Sequence, residues 1–244
     1  SPKDMAACGD GGPALGAKLH SPLGLATDSL GNLYIGDTGV RGVRKVVLAP
    51  LDADYGNINT VIGSGNDCAD TLDETSWPVL QASLCSIVGI EVIEANAETM
   101  FFLADAGSTN TGPRVWIAVG GEIWSLWDGT NSPAPTTPLD LTLNHSTEGG
   151  ILVSDGPFIR NLQYDTQSYA FNDALPLIGN GIANSYGDGS FATSATLSRP
   201  AALALSASSG NLTLLDACHY RLRSVNADTQ LISNVAGTGV PCTA

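Results

Sequence analysis

Four aspartates, Asp37, Asp105, Asp155 and Asp216, each precede an arginine by five to nine residues: Arg44, Arg114, Arg160 and Arg223. Two chemistries suit that pattern. A ring of carboxylates would hold a cation; alternatively, each carboxylate accepts backbone N–H bonds in a turn and faces the arginine that follows. A position repeated four times more often has a repeated structural job, so the turn reading is favoured. Asp10 and Asp188 sit in Gly-Asp-Gly turns that look like calcium loops. They lack the full oxygen-rich spacing, so tight turns are expected there and calcium is the one cofactor left open. No Gly-x-Ser-x-Gly elbow, His-Glu-x-x-His helix or phosphate loop occurs, so no catalytic residue is assigned.

The elements that must position these residues are constrained by composition. The chain has 244 residues, with 24 acidic and 10 basic side chains and a formal charge of −14. Non-specific nucleic-acid affinity comes from cationic side chains, so a nucleic-acid partner is not expected. Docking on an anionic leaflet is excluded on the same ground, and no apolar run reaches the ~18 residues of a membrane helix. An apolar content of 43% is too high for a disordered chain. Twenty-eight glycines and 13 prolines demand many turns.

Those turns punctuate a repeat. Gly9-Asp10-Gly11-Gly12-Pro13-Ala14 returns as Gly187-Asp188-Gly189-Ser190-Phe191-Ala192, with Pro22 and Pro200 at the same offset. Gly31-Asn32-Leu33 matches Gly210-Asn211-Leu212, and Val61 to Gly65 matches Val235 to Gly239. Two weaker copies lie between, running through Val88–Ile93, Met100–Asp105 and Glu122–Leu126, then Leu139–Leu143, Ile151–Asp155 and Ile159–Leu162. The copies average 61 residues, each reading as four short strands between Gly/Asp/Asn turns. A four-stranded sheet repeated at constant spacing is a propeller blade. The expected fold is an all-β, four-bladed β-propeller in a single domain. Its blades lie at about 21–63, 86–128, 138–179 and 199–237, joined by Gly/Pro/Ser-rich linkers. Four copies imply a closed four-bladed ring or a segment of a larger one, and the near-integer division favours the ring.

The string from Gly9 through Val46, followed by Ile58 to Gly65, resembles the NHL-repeat family of β-propellers. The shared features are a Gly-Asp-Gly-Gly linker, a Pro-x-Gly-hydrophobic inner strand, a Gly-Asn-hydrophobic second strand and an Asp-to-Arg turn. The match is close over 9–65 and 187–239 and degenerate over 77–179. The resemblance implies two activities to weigh. NHL-like peptidyl-amide lyases place a histidine-liganded metal at the propeller centre, but strand order puts His20 and His219 on one face and His145 on the other. Calcium-dependent lactonase-like propellers need Glu, Asn and Asp on inner strands, where Glu91, Asp140 and Asn144 lack a fourth partner. The RNA-binding branch needs a basic face, which a charge of −14 denies.

Five cysteines, none in a CxxC pair, and two N-x-S/T sequons at Asn144 and Asn211 favour a secreted or extracellular glycoprotein. No basic n-region or apolar h-region follows Ser1, so any signal peptide is expected upstream or removed. Cys68 and Cys85 open and close one linker, which makes them the natural disulfide. Cys8 and Cys242 would staple the termini, with Cys218 either free or competing for Cys242. Trp116, Trp124 and Trp127 crowd the outer strands of the second copy. They either pack between blades or form a rim for a partner, a neighbouring copy or sugar rings. The Ser/Thr/Pro-rich linker 130–138 reads as an O-glycosylated, extended segment or as a plain loop.

The leading expectation is a non-catalytic, extracytoplasmic propeller acting as a protein-interaction or assembly module, with a repeating subunit of a surface or extracellular structure as one form of it and a protein or its own copies as partner. The rivals are a metal-dependent lyase or hydrolase with a central-channel site, and a carbohydrate-binding propeller.

Overall fold

The computed structural model describes residues 5–66, 68, 76–95, 98–108, 111–131, 133–144, 150–165, 168, 170–182 and 186–241. These residues are all-β and form four propeller blades, each an antiparallel sheet, with no α-helix among them. Two compact units hold two blades each, residues 1–130 and 131–244.

The first blade contains β1 (Gly12–Pro13), β2 (Pro22–Thr27), β3 (Leu33–Asp37), β4 (Gly42–Val46) and β5 (Asn57–Ile62), in the order β1-β5-β4-β3-β2. The second repeats that order with β6 (Trp77–Pro78), β7 (Ile87–Ala95), β8 (Glu98–Asp105), β9 (Arg114–Val119) and β10 (Glu122–Trp127). The third is a four-stranded meander of β11 (Pro138–Leu143), β12 (Ile151–Asp155), β13 (Phe158–Tyr164) and β14 (Phe171–Ile178). The fourth is likewise β15 (Pro200–Leu205), β16 (Leu212–Asp216), β17 (Arg221–Val225) and β18 (Ile232–Ala236).

Four strands per copy therefore undercounts the first two blades. Their fifth strand is a two-residue piece of the linker that pairs with the outermost strand, Gly12 opposite Ile58 and Trp77 opposite Ile123. Two residues carry no alternation, so no sequence period marks them. In the fourth blade the same pairing shrinks to a single bridge, Phe191 to Leu231.

Within each unit the linker after the odd-numbered blade locks onto the strand it has just left. Gly63 and Gly179 donate their N–H groups to Val79 and Ala192, at the 3₁₀ turns that precede the next blade. Both glycines have φ near +100°, and a Cβ there would meet the Arg41 or Pro157 carbonyl oxygen at 2.4 or 2.3 Å. Only glycine fits a position that combines positive φ with so close a backbone approach.

The cores lie between facing blades. In the first unit Tyr34, Val43 and Ile62 pack on Ile87, Ile90, Leu103, Trp116 and Ile123, with Phe101 edge-on to Tyr34 at 5.1 Å. In the second, Leu152, Ile159 and Ile178 pack on Leu197, Leu212, Leu214, Val225 and Ile232. A smaller cluster of Ile35, Val46 and Ile58 is covered by Ala14 and Ala17 of the first linker.

Candidate functional site

The four repeated aspartates end the second strand of each blade, opposite the first residue of the inner strand: Pro22, Ile87, Pro138 and Pro200. All four are fully buried. Each accepts backbone N–H bonds from the segment that enters its inner strand. His20 donates to Asp37 at 2.7 Å, Cys85 and Ser86 to Asp105 at 3.0 and 2.8 Å, Thr136 and Thr137 to Asp155 at 2.7 and 2.8 Å, and Ser198 to Asp216 at 2.9 Å. The carboxylate thus clamps the entry of every blade, satisfying donors that no ladder reaches.

Three arginines close these clamps. Arg160 Nε donates to Asp155 at 3.0 Å, while Arg44 and Arg223 lie 3.6 and 3.5 Å from Asp37 and Asp216. Arg44 and Arg223 also fork onto the linker aspartates, Arg44 to Asp10 at 2.7 Å and Arg223 to Asp188 at 2.8 Å. Asp10 and Asp188 are therefore more than turn residues; each carries the second carboxylate of a buried arginine. Asp10 further accepts Thr60 N–H at 2.9 Å, tying the linker to β5.

The second blade breaks the pattern. Arg44, Arg160 and Arg223 lie opposite Ile35, Val153 and Leu214, two residues before the aspartate. The matching position opposite Leu103 holds Trp116, and Arg114 lies two residues earlier, opposite Asp105 itself. Arg114 therefore leaves the clamp set, and Trp116 takes the arginine's place, donating Nε1–H to Asp105 Oδ2 at 3.1 Å. The guanidinium of Arg114 instead lies over the Trp116 ring at 5.1 Å. The indole meets the carboxylate with one neutral donor.

This assignment also corrects the tryptophan rim. Trp116 and Trp127 are buried side chains, and only Trp124 is half-exposed. Every residue of β9 after Arg114 is buried, and so are Leu126 and Trp127 at the end of β10.

His20 meets Asp37 through its backbone N–H, His219 Nδ1 lies 3.0 Å from Asp216, and His145 falls outside the described residues. Among the described residues no three His, Cys, Asp or Glu side chains gather as metal ligands. Cys68 and Cys85 form a disulfide, closing a loop with a sequence separation of 17 and restraining the unfolded chain by about 3 kcal/mol. Cys8 and Cys218 are free thiols, and Cys242 lies outside the described residues. Asn211 is half-buried, its side-chain oxygen accepting Ala227 N–H at 2.9 Å, as buried Asn32 accepts Leu48 N–H at 2.8 Å. The Gly-Asn motif thus serves a turn in both copies. In the other sequon, residues 145 and 146 lie outside the described residues.

Asp140 on β11 has a distinct role. Its Oδ2 accepts Leu203 N–H at 2.8 Å, a bond from the third blade to the fourth. Desolvation by burial pushes its carboxyl above the usual range, against the pull of the Leu203 and Leu141 N–H bonds. The native state therefore holds this proton more tightly than the unfolded chain. Stability then falls as pH rises between the ordinary carboxylate value and the raised one, and the deficit persists above it. Asp140→Asn keeps an acceptor for Leu203 without a charge. The variant should be the more stable protein at neutral pH and should lose this part of the decline, as read by urea titrations from acid to neutral pH.

No family model matches the chain.

Proposed function

We propose that this protein is a non-catalytic, NHL-type propeller that works outside the cytoplasm as an interaction or assembly module, binding another protein or further copies of itself. The observation that carries the proposal is the inner strand of the first blade. A Cβ on Gly24 would touch Ile90 at 3.0 Å, so Gly24 faces the second blade. Leu23 and Leu25 point the opposite way and are 58% and 64% exposed.

The residues equivalent to Leu25, two positions before the clamp aspartate's level on each inner strand, are Ile90, Leu141 and Leu203. Ile90 and Leu141 are buried, and Leu203 packs against the core of the second unit. Leu25 alone among them presents its side chain to water. Two large apolar side chains exposed together on a rigid strand suit a partner surface. The buried acidic and basic groups, meanwhile, are engaged in the clamps. A disulfide and the absence, among the described residues, of a helix long and apolar enough to cross a membrane are consistent with work outside the cytoplasm.

Sedimentation velocity from micromolar to several hundred micromolar tests self-association. The wild type should gain mass with concentration, and Leu25→Glu should remain monomeric with an unchanged circular dichroism spectrum. A wild type that stays monomeric throughout removes self-assembly. Equal capture of a cross-linked partner by wild type and Leu25→Glu removes this surface altogether.

A further inference from the structure

A cavity of about 630 Å³ opens within the second unit, between the third and fourth blades. Its volume is that of an ordinary small-molecule site. The apolar walls include Leu152 and Ile178 from the third blade and Leu205, Leu212 and Val225 from the fourth. Its polar groups are Asn144, Asn161, Ser206 and Gln230, and among the described residues no charged side chain lines it, in a chain of net charge −14.

The equivalent place in the first unit is filled. Counting back from the clamp aspartates, Leu152 corresponds to Tyr34 and Leu212 to Phe101, the two rings that meet at 5.1 Å. Asn161, opposite Leu152, corresponds to Lys45, whose ammonium covers the Tyr34 ring at 5.6 Å. The second unit thus has two leucines where the first has two packed aromatics, and a neutral carboxamide where the first has a cation. Asn161 is 3% exposed, and its side-chain oxygen is buried without a hydrogen-bond partner. A buried amide left half-satisfied costs stability unless something completes it.

We propose that this inter-blade cavity is a binding site for a neutral, largely apolar small molecule that carries a hydroxyl group, the hydrocarbon lying against the leucines and the hydroxyl meeting the Asn161 carboxamide. A hydroxyl is donor and acceptor at once, so it satisfies either end of an amide. A carboxylate in the same place would be buried without a cation and is disfavoured.

The test uses the full chain and N-phenyl-1-naphthylamine, an uncharged dye that brightens in apolar sites, with 1-octanol and octanoate as competitors at pH 8. Saturable dye binding is expected, with 1-octanol displacing the dye at least tenfold more effectively than octanoate. Leu152→Tyr combined with Leu212→Phe rebuilds the aromatic pair of the first unit and should weaken the dye at least tenfold. Should that double variant fail to fold, Leu177→Trp, on the partly exposed edge strand β14 at the cavity wall, provides the same block. Asn161→Leu removes the partner of the hydroxyl and should weaken 1-octanol as a competitor at least fivefold. Absence of saturable dye binding, unchanged binding in the filled variants, or octanoate competing as well as octanol would each overturn the proposal.

Discussion

Replacing Arg44 with alanine should destabilise the first unit by about 3–5 kcal/mol, the range for removing one partner from a buried charge network. The guanidinium is wholly buried and holds together segments far apart in sequence. It donates to Asp10 through Nε and Nη2 at 3.1 and 2.7 Å, to the Lys18 carbonyl at 2.9 Å and to the Cys8 carbonyl at 3.2 Å, and it lies 3.6 Å from Asp37. Alanine leaves a fully buried Asp37 without its cation and two linker carbonyls without donors. Burial already raises the Asp37 carboxyl, opposed by the His20 N–H and by Arg44, and loss of Arg44 raises it further. The sign of the pH effect follows. Because the folded carboxyl binds its proton more tightly than the unfolded one, the Arg44→Ala deficit should grow as pH rises out of the acid range and shrink as it falls. Urea denaturation at several pH values reads both effects. Arg44→Lys keeps the charge without the fork and should recover only part of the loss. Adding Asp10→Asn and Asp37→Asn to Arg44→Leu removes the stranded charges and should recover most of it. A deficit that persists in the triple variant would assign the loss to packing rather than to unpaired carboxylates.

Arg44 also marks how much of the molecule is legible in its sequence. The clamp aspartates fall at one structural position because each ends a strand whose alternation and following turn are both plain in the chain. The arginines are less regular: seven residues separate Asp37 from Arg44, nine separate Asp105 from Arg114, and five separate Asp155 from Arg160. Hairpin register depends on the length and geometry of the connecting loop, and a shift changes which side chain faces the carboxylate. Arg114 was therefore matched by residue type where the backbone matches Trp116. One signal was present, since Gly-Asp-Gly turns carry Asp10 and Asp188 ahead of the first and fourth blades and no such motif precedes the second. The linker strands β1 and β6 escaped because two residues show no period. The cavity escaped because it depends on which side chains face each other across two sheets, Tyr34 and Phe101 in one pair, Leu152 and Leu212 in the other. Exposure of Leu25 belongs to the same class, since its sequence surroundings resemble those of half-buried Leu203.

Trp116 provides the second large expected effect, and it separates two roles that one side chain combines. Trp116→Ala should cost about 3–5 kcal/mol, because it removes a buried ring from the core shared with Val43, Leu103 and Ile123 and leaves a cavity. Trp116→Phe retains most of the packing and loses only the Nε1–H donor to Asp105 Oδ2. That oxygen keeps Cys85 N–H at 3.0 Å, so the expected loss is about 1–3 kcal/mol, the cost of an under-satisfied buried acceptor. Trp116→Arg restores the side chain used by the other three blades. It should nevertheless be destabilising, because a guanidinium would replace a ring packed among Val43, Leu103 and Ile123. The decisive comparison is Trp116→Arg against Trp116→Phe in urea. If arginine proves the more stable, Asp105 holds a buried guanidinium here as Asp155 holds Arg160 in the third blade. If phenylalanine is the more stable, the apolar packing around position 116 outweighs an ion pair with Asp105.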